Sequence, residues 1–343
     1  LSRRGAGEGS IYKRPDGYWA ASLELPPLDG KRRRKVVSAK DKGTVIKRLR
    51  ELKRNLEEHG DLPTATMTVN QWFDYWMREV AAKTRRPKTF ASYQSAVNNW
   101  ILPAIGTTRL DKLTPTTIRK VSQVMTAAGK STTYQRNTHT VMAAAFKDAE
   151  RDGRIRRSPV ELVVAPKKAV THLEVLTPDE AIRLLGVFST TDEGTLWATY
   201  LLTGARRGEV LGLQWDRVTD VLDFSWQVQR ITAGRPTPAG FEHQHLSDGI
   251  YLTRPKTRAG TRIVPLVDPL ASILARYRDR SPQNPHGLVF ARPDRAPFDP
   301  DYITKLWPRI REAAGITRNV RVHDLRHTTA DLLFAADVSE ADI

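Results

Sequence analysis

The 343-residue chain contains no cysteine. Disulfides and thiolate metal sites are therefore excluded, and the composition suits a reducing compartment. Long apolar runs are also missing. No stretch approaches the roughly 20 residues of a membrane span, and the opening LSRRGAGEGS has no apolar region of a signal peptide. Nor do the cationic residues described below come with a carboxylate pair or a metal-holding cluster of Asp and Glu. Metal-dependent nucleases hold their ions with such clusters, so that class is disfavoured. Internal repeats and low-complexity tracts are absent as well.

Positive charge is abundant. The formal net charge is +17, from 55 Lys and Arg against 38 Asp and Glu, and it is unevenly placed. Residues 1–66 hold 16 basic against 9 acidic side chains, and residues 67–168 hold 18 against 7. Residues 169–343 are nearly balanced, with 21 against 22. A basic surface attracts polyanions, because each phosphate it neutralises releases condensed counterions. Without an amphipathic anchor or lipidation signal, nucleic acid is the expected partner rather than a membrane.

The pattern along the chain predicts a multidomain α+β protein in three segments, at residues 1–62, 67–165 and 172–343. In the first, GSIYKRPDGYWAASLELPP reads as two strands around Pro15-Asp16-Gly17, Asp-Gly being a strong hairpin signal. KRRRKVVSA offers a third strand. TVIKRLRELKRNLEEHG spaces Val45, Leu49, Leu52 and Leu56 as one helix face, with Gly60 as its stop. The small three-stranded sheet needs this helix to bury one face. Its other face is expected to present Arg14, Tyr18, Trp19 and some of Lys31, Arg32, Arg33, Arg34 and Lys35 to DNA. Tyr18 and Trp19 alternate across the sheet, so one of them is expected to pack inward.

HGDLPTATM reads as a linker to an all-helical second segment. There Val69, Trp72, Phe73 and Trp76 share a face, as do Tyr93, Val97 and Trp100, and these aromatics are expected in the core. Thr114 caps a helix with Pro115 at its first position. Lys83, Arg85, Arg86 and Lys88 lie beside a helix start, where phosphates are well received. After the basic linker APKKAVTH, Thr177, Pro178 and Glu180 form a capping box that opens a mixed α/β segment.

Three stretches of this last segment carry chemistry. In LLTGARRGEVLGLQW, residues 201–215, Thr203-Gly204-Ala205 interrupts two apolar helical runs. Arg206 should project from that turn, with Glu209 on the helix face beneath it. In YLTRPKTRAGTRIVPL, residues 251–266, two strands flank a tight Arg-Ala-Gly turn with Lys256 near its tip. In VHDLRHTTADLLFAADVSEADI, His323 and Arg326 stand three apart at a helix start, hence on one face. Each residue taken singly is an ordinary surface or structural side chain. Together, two arginines, a lysine and histidines make a cationic pocket suited to a phosphodiester that gains charge as it becomes pentacoordinate. A lysine can protonate the departing 5′ oxygen, and a histidine can hold an oxygen or move a proton.

TGARRGE, PKTRAGTRIVPL and HDLRH together resemble the first arginine box, the lysine hairpin and the histidine–arginine box of the tyrosine recombinases of the phage integrase family. The resemblance extends over most of the chain and implies an arm-type DNA-binding domain, a helical core-binding domain and a catalytic domain. It implies that Arg206 and Arg326 clamp the scissile phosphate, that Lys256 is the general acid, and that His323 assists in acid–base work. Glu209 matches a structural acidic position that orients the pocket, and His327 a position that is usually histidine. The implied activity is site-specific integration and excision of phage DNA at attachment sites through a 3′-phosphotyrosyl intermediate, without metal, ATP or other cofactor. The implied setting is a homotetramer on double-stranded DNA in the cytoplasm of a bacterial host, assisted by a host DNA-bending protein and an excision factor.

The sequence departs from the family at the nucleophile. None of its nine tyrosines follows His323, and the family's second His or Trp is missing too. ADVSEADI reads as a loop and the first turn of another helix, with Ser339 as cap. The expectation is therefore a truncated chain that binds DNA and activates a phosphate without cleaving it. Two other readings are a DNA-binding regulator of recombination and a type IB topoisomerase-like relaxase. The arm-like segment argues against relaxation, which needs no bivalent bridging of two DNA sites.

Overall fold

The computed structural model describes residues 10–28, 31–59, 67–169, 173–232, 234–255 and 261–338. The expected helix stop at Gly60, all of the linker HGDLPTATM but its end residues His59 and Met67, the Arg-Ala-Gly turn and the cap at Ser339 lie outside them. The chain forms two compact units, one of residues 1–83 and 89–169, the other of 84–88 and 170–343. Among the described residues no helix is long and apolar enough to cross a membrane.

In the first unit, strands β1 (Ser10–Lys13), β2 (Trp19–Leu28) and β3 (Lys31–Ala39) form an antiparallel sheet in that order. The hairpin closes where the sequence predicts: Gly17 adopts φ +84°, and Tyr18 N donates to Asp16 Oδ1 at 3.1 Å. Strand alternation sends Trp19, Ala21, Leu23 and Leu25 to one face. Helix α1 (Lys42–His59) covers that face with Val45, Leu49, Leu52 and Leu56. Trp19 is thus the inward member of its pair with Tyr18. The β2–β3 register slips between Leu25 and Leu28, where two prolines lack the N–H groups a ladder needs.

The helical part of this unit has its own core. Helix α2 (Val69–Trp76) starts at a capping box between Thr68 and Gln71, and passes through a π turn at Met77–Ala81 into α3 (Ala82–Thr84). Helix α4 (Pro87–Ala96) likewise passes through Val97–Ile101 into α5 (Leu102–Ile105). Helices α6 (Pro115–Ala127) and α7 (Thr132–Arg151) begin at the side-chain caps Thr114 and Ser131. Trp72, Phe73, Trp76 and Phe146 are fully buried. The indole N–H groups of Trp72 and Trp76 donate to Ala145 O at 3.1 Å and Asp148 Oδ2 at 2.8 Å, so the aromatics are core and their polar atoms are satisfied.

The second unit is mixed. Helix α8 (Pro178–Phe188) opens with the predicted Thr177–Glu180 capping box. Helix α9 (Gly194–Thr203) is apolar nearly all round and runs buried through the core, where Trp197 packs with Phe188, Tyr200 and Trp307. Helix α10 (Arg207–Leu211) follows. Strand β4 (Val221–Asp223) pairs with β8 (Ile263–Pro265), while β5 (Gln227–Arg230), β7 (Ile250–Thr253) and β6 (His243–Ser247) form a separate sheet in that order. Helices α11 (Leu270–Arg278), α12 (Pro300–Ala313) and α13 (Asp324–Ala335) complete it. Among the described residues, the two strands expected to flank the Lys256 turn do not pair with each other: β7 is the centre of one sheet and β8 the edge of another.

Candidate active site

The site is built on the exit from α9. Gly204 ends that helix in the left-handed region (φ +58°, ψ +19°), and a Cβ there would lie 3.1 Å from Thr329 Cβ on α13. A side chain is excluded twice, by conformation and by space. The turn leaves Arg206 as the cap of α10, as its sequence position implies. Helix α10 lies close against β5, since a Cβ on Gly208 would meet Val228 O at 2.7 Å and one on Gly212 would meet Gln227 Cα at 2.9 Å. Two absent side chains thus fix where Arg206 stands.

Beneath it, the Glu209 carboxylate is 1% exposed. It accepts from Arg206 N at 2.8 Å, from Arg206 Nη1 at 2.7 Å and from Arg262 Nη2 at 2.6 Å. Burial works to raise its pKa, but these charged and backbone bonds outweigh burial and hold it below the usual carboxylate range. Arg262 was not singled out by sequence reasoning. It falls within the TRIVPL stretch that carries the resemblance, but nothing in a short strand's alternation tells what a residue meets across the fold.

The first turn of α13 supplies the second half. His323 caps the helix, and Arg326 Nη1 donates to Gly204 O at 2.8 Å, so the arginine turn and the histidine–arginine turn are tied together. Burial first, then Arg262 and Arg206, press the pKa of Arg326 below its ordinary value, though it remains a cation. His323 and His327 meet edge to face at 5.5 Å between ring centres. Partial burial, followed by the neighbouring His327, lowers the pKa of His323. The helix start is locked by Asp324, whose buried carboxylate accepts from Arg321 Nε at 2.9 Å and Nη2 at 2.8 Å.

Arg206, His323, Arg326 and Arg321 line one cleft of about 720 Å³, with Lys88 and Gln229 among its other walls. Lys256 lies outside the described residues. Just before it, the carbonyls of Arg254 and Pro255 accept from Arg86 at 3.0 and 2.9 Å, and the Arg86 guanidinium also sits 5.4 Å from the Phe241 ring. Arg86, expected at DNA, is thus spent on protein contacts.

The other basic residues are dispersed. Arg14 pairs with Asp16 at 3.1 Å, and Tyr18 is 40% exposed beside it. Trp19 packs toward α1, with Lys42 Nζ 5.1 Å from its ring, so it is not on the outer sheet face. Arg32 and Arg34 are exposed on that outer face, near Glu24. Arg33, opposite the inward Leu25, is on the helix side. Lys83 pairs with Glu79 at 2.8 Å, Arg85 is half-buried and Lys88 exposed.

Residues 68–125 match the phage integrase N-terminal SAM-like domain, and residues 174–343 match the phage integrase family. The chain belongs to the tyrosine recombinases of that family. Its relatives within the family include an integrase of Saccharopolyspora erythraea, 28% identical over 99% of this chain and 90% of the relative. A XerC-like tyrosine recombinase of Caldanaerobacter subterraneus subsp. tengcongensis is 23% identical over 79% of this chain and 73% of its own. Among solved structures, the Tn1549 transposon integrase in complex with a circular intermediate DNA superposes with a TM-score of 0.66 at 19% identity, over 80% of this chain and 88% of that one. A lambda integrase dimer bound to a COC′ core site gives 0.59 at 17% identity, over 97% and 89%. At such identities the likeness is one of fold, and the small sheet, helical part and mixed α/β part all belong to it.

Proposed function

We propose that this tyrosine recombinase is a site-specific DNA recombinase that integrates and excises phage DNA at attachment sites through a 3′-phosphotyrosyl intermediate, without metal or ATP. The observation that carries the reading is the convergence of Arg206, Arg326 and His323 on one cleft, tied through Gly204 O and backed by Glu209. Two guanidinium forks held in fixed geometry can grip the non-bridging oxygens of a phosphodiester. Their grip strengthens as charge builds toward the pentacoordinate state, which lowers the barrier. His323, its pKa lowered, is a neutral ring near pH 7 and able to accept or return a proton. Lys256 is assigned by resemblance as the acid that protonates the 5′ leaving oxygen, and His327 as support for His323.

The attacking tyrosine of the family is not supplied by any of the nine tyrosines, since none follows His323. The residues of this sequence are proposed to provide the clamp that binds DNA and activates its phosphate.

We read residues 1–62 as an arm-type DNA-binding domain, 67–165 as a core-binding domain and 172–343 as the catalytic domain. Three separate hydrophobic clusters support this division. Arg14, Tyr18, Arg32 and Arg34 are proposed for arm-site DNA, and Lys83, Arg85 and Lys88 for core-site DNA. The proposed assembly is a homotetramer, supported by a lambda integrase tetramer bound to a Holliday junction among its structural neighbours. A host DNA-bending protein and an excision factor are proposed accessories, in the bacterial cytoplasm.

The test uses the full-length protein and a nicked suicide duplex carrying its attachment site, in EDTA. A covalent protein–DNA adduct is expected, lost in Arg206→Ala and Arg326→Ala while gel-shift affinity stays nearly intact. An adduct that persists in both variants would refute the clamp. Relaxation of plasmid lacking any attachment site would favour the topoisomerase-like reading, and site occupancy without an adduct the regulatory one.

A further inference from the structure

Arg262 does not line the cleft, yet it sits at the centre of the site's charge balance. Exposure rises outward through the network: the side chain of Glu209 is 1% exposed, that of Arg262 21% and that of Arg206 48%. A buried carboxylate facing a single arginine tends to take two of its N–H groups in a fork. That would turn Arg206 inward, away from a substrate oxygen. Here Arg262 Nη2 occupies Glu209 Oε2 at 2.6 Å. The Arg206 guanidinium gives Oε1 one bond, from Nη1, and the residue lines the cleft.

Two further facts fix Arg262 in this place. Its Nη2 also lies 3.5 Å from Gly204 O, the carbonyl that Arg326 uses. Its Nε is buried without a hydrogen-bond partner, so the side chain is held by its tip. An arginine that leaves a buried donor unpaired is costly, and a shorter apolar residue would avoid that cost. Its two tip contacts are the arginine turn's carbonyl and the carboxylate beneath that turn.

We propose that Arg262 is a positioning residue of the phosphate clamp. By holding Glu209 Oε2 it keeps Arg206 presenting open N–H groups to the scissile phosphate, while its own guanidinium stays behind the cleft wall. The proposal rests on the clamp reading given above.

The experiment measures binding of inorganic orthovanadate, a tetrahedral oxyanion that resembles phosphate, to the 343-residue protein by titration calorimetry at fixed ionic strength. Arg262→Met is expected to weaken binding about tenfold, whereas Arg262→Lys, which can still donate to Oε2, should stay within about threefold of the unaltered protein. In a Glu209→Gln background, where no carboxylate pulls on Arg206, the further change to Met should be under about twofold. Thermal unfolding establishes that each variant is folded, and Arg262→Gln replaces Arg262→Met if the latter is not. Full additivity with Glu209→Gln, or undiminished binding in Arg262→Met alongside lost binding in Arg206→Ala, would overturn the positioning role and leave the clamp standing. No binding by the unaltered protein, or binding that survives Arg206→Ala, would overturn the clamp and the role together.

Discussion

Arg326 reaches across the second unit to donate a 2.8 Å hydrogen bond to the carbonyl oxygen of Gly204, two residues before Arg206. One backbone atom therefore sets the spacing of two arginines that come from distant parts of the sequence. The geometry of that atom depends on a residue without a side chain.

Gly204→Ala should destabilise the protein measurably. Placing a non-glycine residue in the left-handed region costs roughly 1–2 kcal/mol, and the new methyl would press on Thr329 Cβ at 3.1 Å. Urea unfolding is the measurement, and a midpoint unchanged from the unaltered protein would contradict the assignment. The same substitution should weaken vanadate binding, because the carbonyl that seats Arg326 moves with the turn.

Glu209→Gln should lower stability at neutral pH by about 1.5–3 kcal/mol, the scale of charged hydrogen bonds left with a neutral partner. The folded carboxyl lies below its unfolded value, which is near 4.3. Its contribution is therefore complete above about pH 4.3 and drains away as pH falls through the folded pKa. The stability gap between the two proteins should close on acidification. Unfolding curves from pH 7 downward that remain parallel would contradict this.

His323 should titrate below the ordinary histidine value of about 6.5, because burial and then His327 disfavour its cation. Its contribution to stability is present above about pH 6.5 and is lost as pH falls through the folded value. Ring proton shifts followed by NMR should place the midpoint low. In His327→Gln the midpoint should rise without fully recovering, since burial remains. A midpoint unmoved by that change would remove His327 as a cause.

Arg34→Ala and Trp19→Ala should fail in different ways. Arg34 is exposed on the outer sheet face, so its loss should leave folding intact and reduce the salt slope of duplex binding by about 0.9. Trp19 packs against α1, so its loss should cost about 3 kcal/mol of stability in the small sheet. Filter binding across a salt series, paired with thermal unfolding, separates the two.

Much of the architecture was legible because its signals are local. The Asp16-Gly17 turn, the Thr114 cap and the Thr177–Glu180 box each act within four residues, and each forms as read. Arg206 and Glu209 were also within one turn of each other, so their contact followed from spacing. What escaped depends on partners distant in sequence. Strand β8 pairs with β4 rather than with β7, a choice set by packing that no strand periodicity encodes. Whether Tyr18 or Trp19 faces inward was open until the register with β3 fixed it. Arg86 read as a DNA contact and Arg262 only as one letter of a motif, and the fold shows which carbonyls and which carboxylate take them.

Gly204 and Arg326 are 122 residues apart. A polypeptide leaving the ribosome exposes the arginine turn long before α13 exists to meet it. Until α13 docks on α9, the Gly204 carbonyl lacks the guanidinium that holds it in the finished fold. The order of synthesis thus makes the cleft shared by Arg206 and Arg326 a late feature of the fold, assembled only when α13 docks.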